Sequence, residues 1–432
     1  MHIVIIGGGV AGIAAARTAL ADAGAGHTVT LVEATDRYGG RALSDTLSIP
    51  GFVLEKGATQ IQDPDINPLV AVAARLGFAT YEEPDRPGWF RVHGALGWTT
   101  ESLAYAPVEH VVDQLAASYD QTKNQPNAVV APPFPQLGQY QLLALLNTPL
   151  GPIVASADPW SYLAADHARE SSAELGPNTF VNQGIGTLVE AFGAELATDF
   201  GARFTVRFTT PVQRVAWSAE GVQVTGADLD IAADGCIVTV PVSLLAADAI
   251  EFAPPLPAGH RTALRALKLG SYKKLAVTLT AVPDAIAVGN VYCIADVPNR
   301  GCWEFFRTGA NPDVLFAQTA GDFAARLDAM DDAAVFTLLH DLLQPTYAQP
   351  LTFGPQRAIT NWTQAPFTQG AYSYTAPLGG DPTDPTALGA RTALAAPLGR
   401  MRIAGEATDL TYFGTLQAAY FEGVRAATEL LA

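Results

Sequence analysis

The opening stretch "MHIVIIGGGVAG" constrains the fold more than any other part of this chain. Residues 2 to 6 are a short run rich in β-branched side chains, the pattern of a buried strand. Gly7, Gly9 and Gly12 follow at once in the G-x-G-x-x-G spacing, and the Ala-rich "IAAARTALADAG" continues as a helix. Gly7 permits a tight turn, Gly9 lets a pyrophosphate approach the backbone, and Gly12 lets helix and strand pack closely. The helix N-terminus then offers its N–H groups and positive dipole end to phosphate. A second strand, "TVTLVEA", ends in Glu33, 21 residues after Gly12. An acid at that distance accepts hydrogen bonds from an adenosine ribose and favours one without a 2′-phosphate. Strand, glycines, helix, strand and acid in this order predict a dinucleotide clasp on a Rossmann-type parallel sheet, hence the α/β class.

The chain has 432 residues, which predicts two or three domains rather than one core. Its 42 acidic residues against 25 basic give a formal charge of -17. That balance argues against nucleic acid as a partner and against a basic membrane-binding surface. The acidity reads first as solubility, and second as an attraction for cationic substrates. Cys236, Cys293 and Cys302 are too few and too scattered for a disulfide framework or a zinc site, so no metal is expected and all three are predicted to be small buried side chains. The sequence enters a strand without a basic leader, and no uncharged apolar run reaches about 18 residues. A cytoplasmic protein with no membrane contact is therefore expected. The Pro-rich "VVAPPFPQLGQ" reads as a surface crossing between helical segments.

After Glu33 comes "ATDRYGGRALS", in which Gly39-Gly40 brings backbone close to something large and Arg41 offers a planar fork of donors suited to a pyrophosphate. A Gly-Gly turn beside a solvated arginine is the plain alternative. The run "EATDRYGGR", from Glu33 through Arg37 to Arg41, resembles the flavin-containing amine oxidase family, and "EKGATQIQ" resembles the turn that follows it there, at Gly57 and Ala58. The resemblance implies FAD as the cofactor and extends to the other end of the chain. "GEAT" implies Gly405, Glu406 and Thr408 beside the ribityl and pyrophosphate groups, with Thr415, Leu416 and Gln417 opening a helix aimed at the flavin ring. A helix N-terminus there would stabilise the negative charge a reduced flavin gathers. "TTPVQRVAW" and "GVQVTGADLDIAADGCIVTVPVSLL" resemble the family's β-rich subdomain, implying that the backbone at Val212 holds the adenine; "NQGIGTLVEAFGAEL" resembles its glycine turn into a helix.

For the reacting face, the resemblance implies that Lys274, in "KLGSYKKLAVTL", reaches flavin N5 through a water, with Lys273 left as a solvent-facing strand-edge charge. In "NWTQAPFTQGAYSYTAPLGG" it implies Gly370, Ala371 and Tyr372 at the flavin, Tyr372 being one wall of an aromatic cage that aligns the amine. Ala371 stands where covalently flavinylated members carry a cysteine, so noncovalent FAD is expected. Three departures bear on the substrate. The second cage wall falls on Thr415, with Tyr412 and Phe413 near enough to substitute for it. Gln62, expected at the substrate, stands where polyamine-oxidising members carry a glutamate. Arg91 and Arg307 are candidates only by location for binding a substrate carboxylate.

These readings predict two interleaved domains: residues 1–76, 182–266 and 384–432 for FAD, and 77–181 and 267–383 for substrate, the latter a mixed sheet with helices. The expected reaction is hydride transfer from the carbon next to a neutral amine nitrogen to flavin N5, giving an imine, with reoxidation by oxygen or another acceptor. Lys274, Tyr372 and Thr415 are the expected catalytic residues, a small amine the partner, and a homodimer is compatible with the pattern. Two other readings stay open. One is a specialised biosynthetic flavin oxidase or desaturase acting on one secondary metabolite; the other is a non-catalytic binding protein of the same fold.

Overall fold

The computed structural model describes residues 1–21, 24–84, 86–92, 99–100, 177–296, 301–346, 348–375 and 387–432. The Pro-rich crossing at 129–139 and the helical stretch "APVEHVVDQLAASY" lie outside them. In chain order, the first elements that build the site are β1 (His2–Ile6), α1 (Val10–Ala21), β2 (Thr28–Val32), β3 (Gly88–Val92), β4 (Thr99–Thr100), α2 (Ile185–Phe200), β5 (Phe204–Arg207), β6 (Val212–Trp217) and β7 (Gly235–Val238). They continue with β8 (Tyr272–Ala281), β9 (Val291–Asp296), β10 (Gly301–Arg307), β11 (Val314–Ala320), α3 (Gly321–Asp328), β12 (Thr352–Ile359), α4 (Ala387–Ala395), β13 (Met401–Ile403) and α5 (Leu416–Leu431).

The first sheet runs β13-β7-β1-β2-β5 and is parallel throughout. β1 lies at its centre with Ile3, Val4 and Ile5 fully buried, as a strand covered on both faces requires. α1 packs on this sheet and against α5, and two glycines permit the approach. A Cβ on Gly12 would stand 1.9 Å from the Gly7 carbonyl oxygen, and one on Gly423 would stand 2.1 Å from that of Ala11. The two helices therefore touch through backbone, and the chain's two ends form one layer. A four-stranded sheet carries β6, paired antiparallel with Val222–Gly226 and parallel with Glu251–Ala253.

The second large sheet runs β12-β8-β11-β10-β9-β3-β4 and is mostly antiparallel. Alternation along its strands separates two faces. Tyr292, Ile294, Trp303, Phe305 and Leu315 point into an apolar core shared with the helix Asp332–Leu343. The other face turns toward the parallel sheet. β8 is an inner strand between β12 and β11, so the expectation of strand-edge charges there fails. Lys273 is fully buried, and its Nζ donates to Asp328 Oδ1 at 2.8 Å, to the Thr360 carbonyl at 2.9 Å and to Asn361 Oδ1. Asp328 also accepts from the Thr363 backbone and hydroxyl, so the ion pair ties β8 and α3 to the segment after β12.

Candidate active site

One cavity of about 1830 Å³ runs between the two large sheets. At one end lie Gly7, Gly9, Val10 and Ala11, where β1 turns into α1. Glu33 is there too, buried at the end of β2. Its carboxylate accepts from Gly8 N at 2.6 Å and from Thr35 N and Oγ1, each at 2.8 Å. The acid expected on a ribose thus also shapes the glycine turn; Oε1 is filled by Thr35, and Oε2 keeps a further lone pair for a ligand.

Arg37, Gly39, Gly40 and Arg41 form the next wall. Gly39 at φ +112° and Gly40 at φ +55° take conformations that side chains disfavour, and Arg37 fixes the loop through the carbonyls of Tyr38, Gly40 and Ala42. Arg41 Nη1 donates to Ala371 O and to Glu406 Oε1, both at 2.7 Å. Gly57 has a geometric cause as well: a Cβ there would fall 1.6 Å from the Arg41 carbonyl oxygen, which accepts from Ala58 N. Val212, at the start of β6, lines the same cavity with Thr210 and Gln213.

Glu406 sits where the three segments meet. It is buried, and besides Arg41 it accepts from Ser373 N and Oγ and from Gly414 N at 2.8 Å. Burial opposes its charge, but Arg41, the Ser373 hydroxyl and Arg391 outweigh that and hold it below the usual carboxylate range. Arg391, on α4, is itself buried; it donates to Ser373 Oγ and Ala407 O and lies 3.8 Å over the Phe413 ring. Thr408 does not line the cavity and instead bonds Gly405 O and Glu422. Gly405, at φ +147°, does line it, and a Cβ there would meet no protein atom within 4 Å.

Thr415 is the N-cap of α5: it accepts from Ala418 N at 3.2 Å and donates to Tyr412 O. Its hydroxyl is engaged in starting the helix, while Thr415 and Leu416 both line the cavity. Gln417 is buried away from it between Asn67 and Asp63. Tyr372 lines the cavity and packs so closely on Gly414 that a Cβ there would stand 3.2 Å from its ring. The suggestion that Tyr412 or Phe413 completes a cage is corrected: Phe413 is buried beneath Arg391, Tyr412 packs on Phe421, and neither lines the cavity.

The far wall belongs to the antiparallel sheet. Lys274 is 3% exposed, and Nζ donates to Gly57 O at 2.6 Å, Thr59 Oγ1 at 2.5 Å and Glu55 O at 3.1 Å. Burial lowers its pKa to about 8, with the Glu55 carboxylate pulling the other way. Register sets Lys274 opposite Gln318, Gln318 opposite Glu304, and Glu304 opposite Cys293, a polar row across four strands. Gln318 donates to Glu304 and accepts from Tyr272 Oη at 2.7 Å. Lys274 Nζ lies 5.3 Å from the Tyr272 ring centre. Phe306, Phe316 and Trp362 add apolar surface, and Gln62 lines the cavity. Arg307 is paired with Asp313 at 2.6 Å, and neither it nor Arg91 lines the cavity; Arg86 does, over the Phe306 ring at 4.4 Å. Tyr272, Gln318 and Glu304 were missed in the sequence, because only strand register brings them together.

Residues 10–122 and 156–431 match the family described as flavin containing amine oxidoreductase. The chain is 26% identical to polyamine oxidase 4 of Oryza sativa subsp. japonica, over 99% of this chain and 88% of that protein. It is 25% identical to lysine-specific histone demethylase 1B of Mus musculus, over the whole chain but only 53% of that protein. Its fold matches the cyclohexylamine oxidase of Brevibacterium oxydans IH-35A with a TM-score of 0.75 at 19% identity, covering 99% of this chain and 98% of that one. A putrescine oxidase bound to putrescine matches with a TM-score of 0.70 at 20% identity, covering 100% and 99%. The helix that follows the glycine turn, the Arg41–Glu406 junction and the lysine-bearing wall lie within the matched residues, and this chain belongs to the flavin-containing amine oxidoreductase family.

Proposed function

We propose that the chain holds FAD noncovalently and oxidises a small amine to an imine, with oxygen as the reoxidant. The observation that carries this is the single cavity joining a dinucleotide-type glycine turn to a buried lysine on a polar and aromatic wall. The residues fit the cofactor: Gly9 and Gly405 leave open space where larger side chains would intrude, Arg41 lies along the cavity, and α5 begins beside it. When bound, FAD supplies the two-electron acceptor for the hydride leaving the carbon next to nitrogen.

The chain's own residues do the rest. The backbone of the glycine turn and the first turn of α1 receive the pyrophosphate, and Glu33 receives the ribose. The start of α5 presents its N–H groups and positive end to the flavin ring. Tyr372 gives the amine a flat surface, and Tyr272 and Phe316 narrow the opposite side so that the reacting carbon is held in line. Lys274 keeps its cationic form below pH 8, and this buried positive charge, its three N–H donors held by Glu55 O, Gly57 O and Thr59 Oγ1, assists reoxidation electrostatically. No histidine or aspartate base is required when the amine binds neutral. In this reading residues 1–76, 182–266 and 384–432 form the FAD side, and 77–181 and 267–383 the substrate side. Ala371, at the place of the covalent cysteine, supports a noncovalent cofactor.

The test is the visible spectrum of purified protein, recorded anaerobically before and after adding pooled primary, secondary and aromatic amines. Bleaching of the flavin bands by a pool upholds amine oxidation. A flavin spectrum that no pool bleaches turns the reading toward a specialised biosynthetic oxidation, and a colourless protein toward the non-catalytic alternative. Acid precipitation checks the attachment: the flavin should leave with the supernatant.

A further inference from the structure

Cys293 on β9 and Cys302 on β10 bring their sulfur atoms to 2.9 Å. Scattered as they look in the sequence, the β9–β10 pairing places them side by side, and both are thiols, 3% and 1% exposed. Cys293 is paired in register with Glu304, and Cys302 lies two positions before Glu304 on the same strand. Alternation therefore puts both sulfurs on the face that carries Val291, Glu304 and Phe306, which line the cavity, and not on the core face of Tyr292 and Trp303. Cys236 lies apart from this pair, within the parallel sheet, and burial pushes its thiol up.

We propose that Cys293 and Cys302 form a peroxide-oxidisable thiol pair that closes to a disulfide beside the substrate cavity. The oxidant is hydrogen peroxide, a polar molecule little larger than water. Its supply during turnover rests on the oxidase reading above; the placing of the two sulfurs does not. One thiolate attacks a peroxide oxygen, the O–O bond breaks, and a sulfenic acid forms with release of water. The second sulfur then displaces that hydroxyl as water, forming the S–S bond. The sulfurs lose two electrons, the peroxide gains them, and both thiol protons leave in the two waters. The sulfurs need only close from 2.9 Å to about 2.05 Å.

The experiment uses the flavin-loaded protein without amine. It is treated with hydrogen peroxide, denatured, alkylated, digested without reductant and mapped by mass spectrometry. A linked peptide pair holding Cys293 and Cys302, released by a phosphine reductant, is expected, with Cys236 fully alkylated and the linkage absent in Cys302→Ser. Full alkylation of both cysteines after peroxide overturns the proposal, as does irreversible oxidation of either one without a linked product. A second sample turns over amine in air. Linkage with added peroxide but not during turnover upholds the pair and counts against oxygen as the reoxidant.

Discussion

At Lys274, three carbonyl and hydroxyl oxygens meet a group with three N–H donors, so the ammonium form is fully satisfied although burial disfavours its charge. In the proposed function the cation that assists reoxidation by oxygen is present below pH 8 and lost above it. Reoxidation of the reduced enzyme, followed by stopped flow, should therefore slow as pH rises through about 8. Lys274→Met should slow it by roughly a hundredfold and remove the pH step, while amine-driven reduction continues. Stability moves the opposite way. With a folded pKa of about 8 against an ordinary 10.5, the folded protein binds fewer protons across that window, so this residue makes unfolding harder as pH rises from 8 to 10.5. Urea denaturation at several pH values should lose that trend in the variant. The neighbouring Lys273 makes a separate prediction. Its ion pair with Asp328 is wholly buried, so Lys273→Ala leaves an uncompensated carboxylate and should cost about 3–5 kcal/mol in denaturant titration. A volume-matched apolar double replacement should recover much of that loss.

At the level of elements, α1 and α5 bring both chain termini to one cavity, and their approach depends on Gly423. A methyl group there must push the helices apart, so Gly423→Ala should cost about 1–3 kcal/mol, read as a lowered Tm, and should weaken flavin retention on gel filtration. The capping of α5 is a milder lever. Thr415→Ala removes one side-chain acceptor and should cost about 1 kcal/mol without abolishing flavin binding. Much of this layer was legible in the sequence. Glycine spacing, the acid after β2 and the loop before α5 are local signals, since each answers to a backbone conformation or a close approach within a few residues. Glu406 could be singled out by the "GEAT" pattern, but its junction with Arg41, Ser373 and Arg391 spans segments far apart in the chain and has no local signature.

For the whole molecule, the parallel sheet was readable and the antiparallel wall was not. Lys274 could be singled out by resemblance, yet its partner Gln318 and the acid Glu304 reach the same row only because β8, β11 and β10 pair in one register. Period-two alternation says that some residues of "VYCIADV" and "VLFAQTA" face a cavity, but not which strands lie side by side. Lys273 shows the same limit: adjacent to Lys274, it belongs to the opposite face, and only an inner position for β8 makes it buried. The charge of the chain, by contrast, is a global property that carries a prediction of its own. A net charge of -17, with Glu83 and Glu304 among the cavity residues, makes an attractive field for a protonated amine approaching from solution. That field is screened within about 10 Å at 0.1 M salt. For a cationic amine substrate, kcat/KM should fall as ionic strength rises, whereas kcat, set after binding, should stay level. Glu304→Gln should raise KM several-fold and flatten part of the salt slope, leaving the flavin spectrum unchanged. Equal salt slopes for a cationic and an uncharged substrate would show that the acidity of this chain serves solubility alone.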